Sequence, residues 1–240
     1  MRQEEIILAS ASPRRRELFT LFKLPYRCVS ANLNENQLPD ENPTDYVTRL
    51  ALQKGEAINA ENLVLSADTI VVFEGEVLGK PANDQEAREM LRRMRGNPHS
   101  VLTALALRQK SSRLILQDIC HTQVLMRSYS DSDIESYIQS DDYRDKAGGY
   151  AIQHKDFHPV AAVQGCYANV MGLALCNLAC LLQKAGIAVE VDIPEACQRH
   201  LGITCEVYPQ ILARCMQVSQ ASRWDSRWRR ASSFVCVSYY

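Results

Sequence analysis

Short apolar runs alternate with amphipathic stretches along this chain, and their order predicts a mixed α/β fold. The run Ile6-Ile7-Leu8-Ala9 reads as a buried strand. It passes through Ser10-Ala11-Ser12-Pro13 into a helix over residues 13–22, with Ser12 suited to the N-cap and Pro13 to the first helical position. A second helix is expected over 44–60, capped by Thr44 after Pro43, with Tyr46, Val47, Leu50, Ala51 and Ile58 on its apolar face. Residues 63–73 read as one continuous buried strand interrupted by a single acid, Asp68. Glu74-Gly75 turns that strand back into a hairpin arm at 76–78.

Further along, Asn83 caps a helix over 84–94 that Gly96 stops. Two strands at 100–107 and 114–126 flank a polar turn, and Ser130 caps a helix over 131–139. Residues 145–153 form a charged, glycine-bearing loop entering a short strand, and a last helix is expected over 170–185 with Gly186 as its stop. Beyond Ile187 the period degrades, and Pro194 and Pro209 read as breaks in short helical pieces. The globular domain is therefore expected over 1–189, with 190–240 as a poorly ordered or loosely docked C-terminal appendage.

Composition narrows the partners. With 240 residues, 46% of them hydrophobic, the chain can bury the core of one large domain or two lobes. Its 27 basic and 28 acidic residues leave a formal net charge of −1, which gives no reason to expect nucleic acid as a partner. Local basic groups, the Arg14-Arg15-Arg16 turn and the 223–230 tail, leave a nucleic-acid reading as a minor alternative. The best membrane candidate, 170–182, is too short for a span and contains Asn177, so no membrane partner is expected. The opening MRQEEII lacks the shape of a signal peptide, and a cytoplasmic location is expected. Nine cysteines include no C-x-x-C pair, and Cys197, His200 and Cys205 match no common zinc spacing, so they read as unligated groups.

Four positions depart from the pattern in ways that suggest chemistry. Arg14, Arg15 and Arg16 sit in the first turn of a helix, where its dipole disfavours cations. They fit there if an anion lies above them, held by free amides, the Ser10 and Ser12 hydroxyls and guanidinium groups; a solvated basic turn is the alternative. Lys54 falls on the apolar face of its helix, so it either snorkels to the edge or enters a polar cavity. Asp68 is costly to bury unless paired or metal-bound, or else it caps a turn between two shorter strands. Lys80 stands between Gly79 and Pro81, and the proline holds it extended.

In chain order, Leu8-Ala9-Ser10-Ala11-Ser12-Pro13-Arg14-Arg15, Ser66-Ala67-Asp68-Thr69, Leu78-Gly79-Lys80-Pro81 and Asp145-Lys146-Ala147-Gly148-Gly149-Tyr150-Ala151-Ile152-Gln153 resemble the motifs of the Maf family of nucleoside triphosphate pyrophosphatases. The resemblance spans roughly residues 6 to 186. It implies a mixed, elongated sheet with flanking helices and two lobes around a cleft, as in inosine triphosphate pyrophosphatases. It also implies hydrolysis between the α and β phosphates to a nucleoside monophosphate and pyrophosphate.

By that resemblance Asp68 is the proton acceptor, and Glu35 with Asp68 would hold a divalent cation, Mg²⁺ first and Mn²⁺ second. Ser10, Ser12, Arg14, Arg15, Lys54 and Lys80 would bind phosphate oxygens. Arg14, Thr69 and Gln153 match the positions that set base choice in the subgroup acting on dTTP and UTP, and a glutamine amide can read a pyrimidine imide edge. The implied activity, on dTTP and UTP and on modified pyrimidine nucleotides, would cleanse the nucleotide pool; hydrolysis of 7-methyl-GTP or another modified nucleotide is one alternative, and a regulatory nucleotide-binding role in septum formation and cell division the other. The resemblance suggests a homodimer. The sequence departs from the family at His154-Lys155-Asp156-Phe157-His158-Pro159, at Cys166 in Gly165-Cys166-Tyr167, and at Ala174, all on the nucleotide side.

Overall fold

The computed structural model describes residues 5–221, with side chains through Cys215. The 223–230 basic tail lies outside the described residues, as does most of the MRQEEII opening.

The first strand, β1 (Ile6–Ala9), is buried along its whole length, which its four apolar residues permit. It pairs in parallel with β2 (Tyr26–Cys28) and with β3 (Val64–Phe73). β3 then runs antiparallel to β4 (Glu76–Leu78) and to β5 (Pro98–Gln109). β6 (Leu114–Met126) and β7 (Val160–Gln164) continue the antiparallel half, giving a seven-stranded mixed sheet in the order β2-β1-β3-β5-β6-β7, with β4 sharing the β1 side of β3.

Register explains where a cleft can open. On its β5 side, β3 is paired without interruption from Val64 to Val72. On the other side, pairing with β1 ends at Ser66 and pairing with β4 begins at Val71. Residues 67–70 thus have no strand partner on that edge among the described residues. The structures either side of this gap are the two flanks of the expected cleft.

Helices cover both faces. α1 (Pro13–Thr20), α3 (Asp84–Met94), α4 (Asp131–Gln139), α5 (Tyr167–Val170) and α6 (Leu175–Lys184) belong to the main core, where Phe19, Leu65, Leu91, Leu105, Ile134 and Leu178 are buried together. α2 (Pro43–Glu56) covers the opposite face through Val47 and Ala51, which meet Ile70, Ala104 and Ala106. These are small residues, and the helix lies close. A Cβ on Gly55 would stand 2.8 Å from Ser66 Oγ, and that hydroxyl donates to the Ala51 carbonyl at 2.6 Å. The close approach brings Lys54 over β3.

Several boundaries differ from the sequence expectation. α2 starts at Pro43, because Asn42 is the cap and its Oδ1 accepts from Asp45 N at 3.0 Å; Thr44 lies inside the helix. The single helix expected over 170–185 is two, α5 and α6, separated where Gly172 takes φ +103°. Within residues 190–221 stand two further helices, α7 (Ile193–Leu201) and α8 (Tyr208–Ala221). Pro194 and Pro209 do not break these helices but stand in their first turns, where a missing N–H costs nothing. Asp192 caps α7, Gly202 ends it in the left-handed region, and Ile193 and Cys197 are buried in the main core. Residues 222–240 of the expected appendage lie outside the described residues. Among the described residues no helix is long and apolar enough to cross a membrane.

Candidate active site

At the gap in β3 lies a cleft of about 530 Å³. The β1–α1 turn borders one flank, with Glu35, Tyr46 and Lys54; the end of β4 and residues 145–152 border the other. Val170, Met171 and Gly172 approach from the α5–α6 turn.

The β1–α1 turn is held by its serines. Ser12 caps α1, accepting from Arg15 N at 3.4 Å, and its own N–H donates to Ser10 Oγ at 3.2 Å. No acid occupies the first turn of α1, so its positive end faces the cleft with Arg14 and Arg15 added to it. The two arginines differ. Arg15 donates from Nε to the Gly172 carbonyl at 2.8 Å and from Nη2 to Thr69 Oγ1 at 2.9 Å. Burial pushes its pKa down, against the pull of Asp68 and Glu35. Much of Arg15 therefore serves to stitch α1 to β3 and to the α5–α6 turn. Gly172 fits this turn because its φ of +103° is one that L side chains rarely adopt.

Across the cleft floor, Lys54 Nζ reaches Asp68 Oδ1 at 2.5 Å and Glu35 Oε1 at 2.9 Å. Two carboxylates thus converge on one ammonium, and Asp68 is the buried member, with a side chain 8% exposed against 48% for Glu35. The Glu35 backbone is tied down by Tyr46, whose hydroxyl donates to the Glu35 carbonyl at 2.6 Å. Burial, and then the charges of Asp68 and Glu35, push the Tyr46 phenol above its ordinary pKa.

On the far flank Lys146 is buried and donates to the Asp142 carbonyl, to Asp142 Oδ1 at 2.8 Å and to Asp145 Oδ1 at 2.6 Å. Burial alone would raise the Asp145 pKa, but Lys146 and then Arg14 outweigh it, and the carboxyl lies below its ordinary range. Nearby, Tyr150 lines the cleft and shares a 2.7 Å hydrogen bond with His99 Nε2. Burial lowers the His99 pKa to about 4, so its ring is neutral near pH 7.

Of the residues singled out in the sequence, Ser10, Ser12, Arg14, Arg15, Glu35, Lys54, Asp68, Thr69 and Lys80 all line this cleft. Gln153 does not; it is exposed, and its neighbour Ile152 faces the cleft instead. Sequence reasoning missed Tyr46, which was assigned to the core face of α2, and Asp145 and Lys146, which were read as part of a loop. It also missed Gly172, whose signal was a glycine inside an otherwise good helical run.

The family model described as Maf-like protein matches residues 5–185. The dTTP/UTP pyrophosphatase of Thermomicrobium roseum is 43% identical over 203 residues, covering 81% of this chain and 92% of the relative. That of Syntrophus aciditrophicus is 40% identical over 189 residues, 78% of this chain and 92% of the relative. Among solved structures, the Staphylococcus aureus Ham1 protein aligns with 12% identity over 52% of this chain and 73% of its own, with a TM-score of 0.38. A likeness that low carries no argument.

Proposed function

The chain belongs to the Maf family, and we propose that it hydrolyses dTTP and UTP to the nucleoside monophosphate and pyrophosphate, as the names of its relatives suggest. The observation that carries this reading is a buried carboxylate, Asp68, opening on a cleft whose walls supply Arg14, Lys54, Lys80 and a helix N-terminus with its serines. Phosphoryl chemistry is mostly positioning and charge neutralisation, and this donor set is built for both.

The assignment of roles follows from exposure and chemistry. Ser10, Ser12 and Arg14, with the free amides of α1, would receive one end of the polyphosphate, and Lys80 the other. Arg15 would contribute mainly by holding Thr69 and the α5–α6 turn in place. Asp68 would orient the attacking water and take its proton. Lys54 would keep Asp68 aligned. Glu35 and Asp68 offer only oxygen donors, which suits a hard divalent cation, Mg²⁺ or Mn²⁺; because they converge on Lys54 Nζ, such an ion would have to displace or sit beside that ammonium and take its remaining ligands from phosphate and water. Such an ion, when bound, would neutralise phosphate charge.

The apolar part of the cleft, with Val71, Val101, Tyr150, Ile152 and Met171, would accept the flat face of a base. An enzyme of this kind would cleanse the nucleotide pool and work in the cytoplasm. The test is a panel of dTTP, UTP, CTP, ITP and 7-methyl-GTP with Mg²⁺, followed by pyrophosphate release. Fastest turnover of dTTP and UTP is expected; no turnover of any of them would overturn the reading.

A further inference from the structure

Thr69 and Thr103 are register partners across β3 and β5, and their hydroxyl oxygens are 2.8 Å apart. The direction of that bond follows from what stands behind it. Thr103 Oγ1 lies 3.1 Å from the Asn169 carbonyl oxygen, which can only accept, so the single Thr103 hydrogen goes to Asn169. Thr69 must then donate its own hydrogen to Thr103. Arg15 Nη2 donates to Thr69 Oγ1 and takes up one of its lone pairs. What Thr69 retains is one lone pair and no hydrogen.

The acceptor is the Asn169 main-chain carbonyl, which no rotation of a side chain can turn into a donor, and the Asn169 side chain pins that residue in place. Thr122 Oγ1 gives its hydrogen to the Cys166 carbonyl at 3.1 Å, so it can only accept from Asn169 Nδ2, 3.0 Å away. The other Asn169 Nδ2 partner is the Val101 carbonyl at 3.0 Å, also an acceptor. Both bonds require nitrogen at that position. Thr103, Thr122 and Asn169 are fully buried, so water offers no alternative partner.

We infer that Thr103, backed by Asn169, is a positioning residue that holds the Thr69 hydroxyl as an obligate hydrogen-bond acceptor in the cleft. A ligand meeting Thr69 must then bring a donor. Thr69 shares its face of the sheet with Val71 and Val101 in the apolar part of the cleft, and the Arg15 guanidinium beside it is already engaged by Thr69 and the Gly172 carbonyl, which suits a base better than a phosphate. The matching chemistry is a base with a ring N–H, as in the imide of uracil or thymine, and not one with a bare ring nitrogen there, as in cytosine. This inference rests on the proposed nucleotide hydrolysis and adds the means of base choice.

The test compares Thr103→Val with Thr103→Ser. Valine removes the acceptor and frees the Thr69 hydrogen; serine keeps the chain. The readouts are the ratio of kcat/KM for UTP over CTP, and calorimetric binding of UMP and CMP, which does not depend on turnover. The parent and Thr103→Ser should share one ratio favouring UTP, and Thr103→Val should lower it about five- to tenfold, the scale of one neutral hydrogen bond. General loosening of the fold would reduce both substrates together and leave the ratio alone. An unchanged ratio in Thr103→Val, an equal fall in Thr103→Ser, or a parent without preference for the uracil nucleotide would each overturn the inference. Uracil-selective binding without hydrolysis would overturn only the proposed reaction; binding of neither monophosphate would overturn the inference.

Discussion

Asp68 and Thr69 are neighbours in β3, yet their side chains leave opposite faces of the sheet and enter different chemistry. Asp68 faces α2 and meets Lys54, which also holds Glu35, so that face carries three formal charges in direct contact. Thr69 faces the α5 side and joins Arg15, Thr103 and Asn169 through directional hydrogen bonds that leave little freedom. A substrate anion or a cation can exchange into the first arrangement, because ion pairs in a cleft trade one partner for another. The second can only be matched or mismatched. One face is thus suited to reaction and the other to recognition, and the gap in β3 pairing lets a single cleft reach both.

The largest expected effect separates the two faces outright. Asp68→Asn should lower kcat by about 10²–10⁴-fold, the usual weight of a general base. The UTP over CTP preference, measured by binding, should stay unchanged, since the Thr69 side is not touched. A variant that keeps full activity would remove Asp68 from the reaction; one that loses base preference as well would show that the faces are not independent.

Next is the ion pair itself. Lys54→Met leaves Asp68 buried without its ammonium, and removing one partner of a buried pair costs about 3–5 kcal/mol. Denaturant unfolding at pH 7 should show a loss of that size. A loss below about 1 kcal/mol would mean that water already screens the pair as it does at a surface.

How far each face could be read in the sequence follows the same division. Asp68, Lys54 and the Ser12-Pro13-Arg14 turn are local violations of pattern: an acid in an apolar run, a lysine on a core stripe, and cations at a helix start. Each was visible without knowing the fold. The Thr69–Thr103–Asn169 chain violates nothing locally, because it exists only once β3 and β5 are in register and Gly172 has ended α5. The gap at 67–70 depends on where β1 and β4 stop pairing, which no single segment encodes. Gln153 has suitable chemistry, but it is exposed and lies outside the cleft lining, a placement its sequence neighbours do not encode. Pro194 and Pro209 fit the start of a helix as well as its end, and what decides is the chain around them, such as the Asp192 cap before Pro194.

Besides the Arg15 guanidinium, the recognition face carries a titratable histidine. His99, in contact with Tyr150, has its pKa lowered by burial to about 4, against 6.5 when exposed. The unfolded chain therefore takes up a proton as pH falls below about 6.5, while the folded chain resists until about 4. Folding loses stability across that window and recovers none of it at lower pH. Between pH 7 and pH 4.5 the parent should lose about 2 kcal/mol more than His99→Gln, a change that removes the titration and keeps a hydrogen-bonding group for Tyr150. Parallel stability curves would show that His99 is protonated in the fold at moderate pH, adding a second cation to the face that already holds Arg15.

The smallest effect on stability belongs to the rim of the reactive face. Glu35 shares Lys54 with Asp68, but its side chain is about half exposed, so its ion pair is screened by solvent and is worth under about 1 kcal/mol. Glu35→Gln should therefore unfold almost as the parent does. Activity is where the change should register. If Glu35 and Asp68 hold a cation together, losing one carboxylate weakens that ion, and half-maximal turnover should need about tenfold more Mg²⁺ while the rate at saturating Mg²⁺ recovers most of its value. An unchanged Mg²⁺ requirement would reduce Glu35 to a partner of Lys54. A stability loss as large as that of Lys54→Met would instead make it part of the buried pair, and the boundary between rim and floor would have to be redrawn.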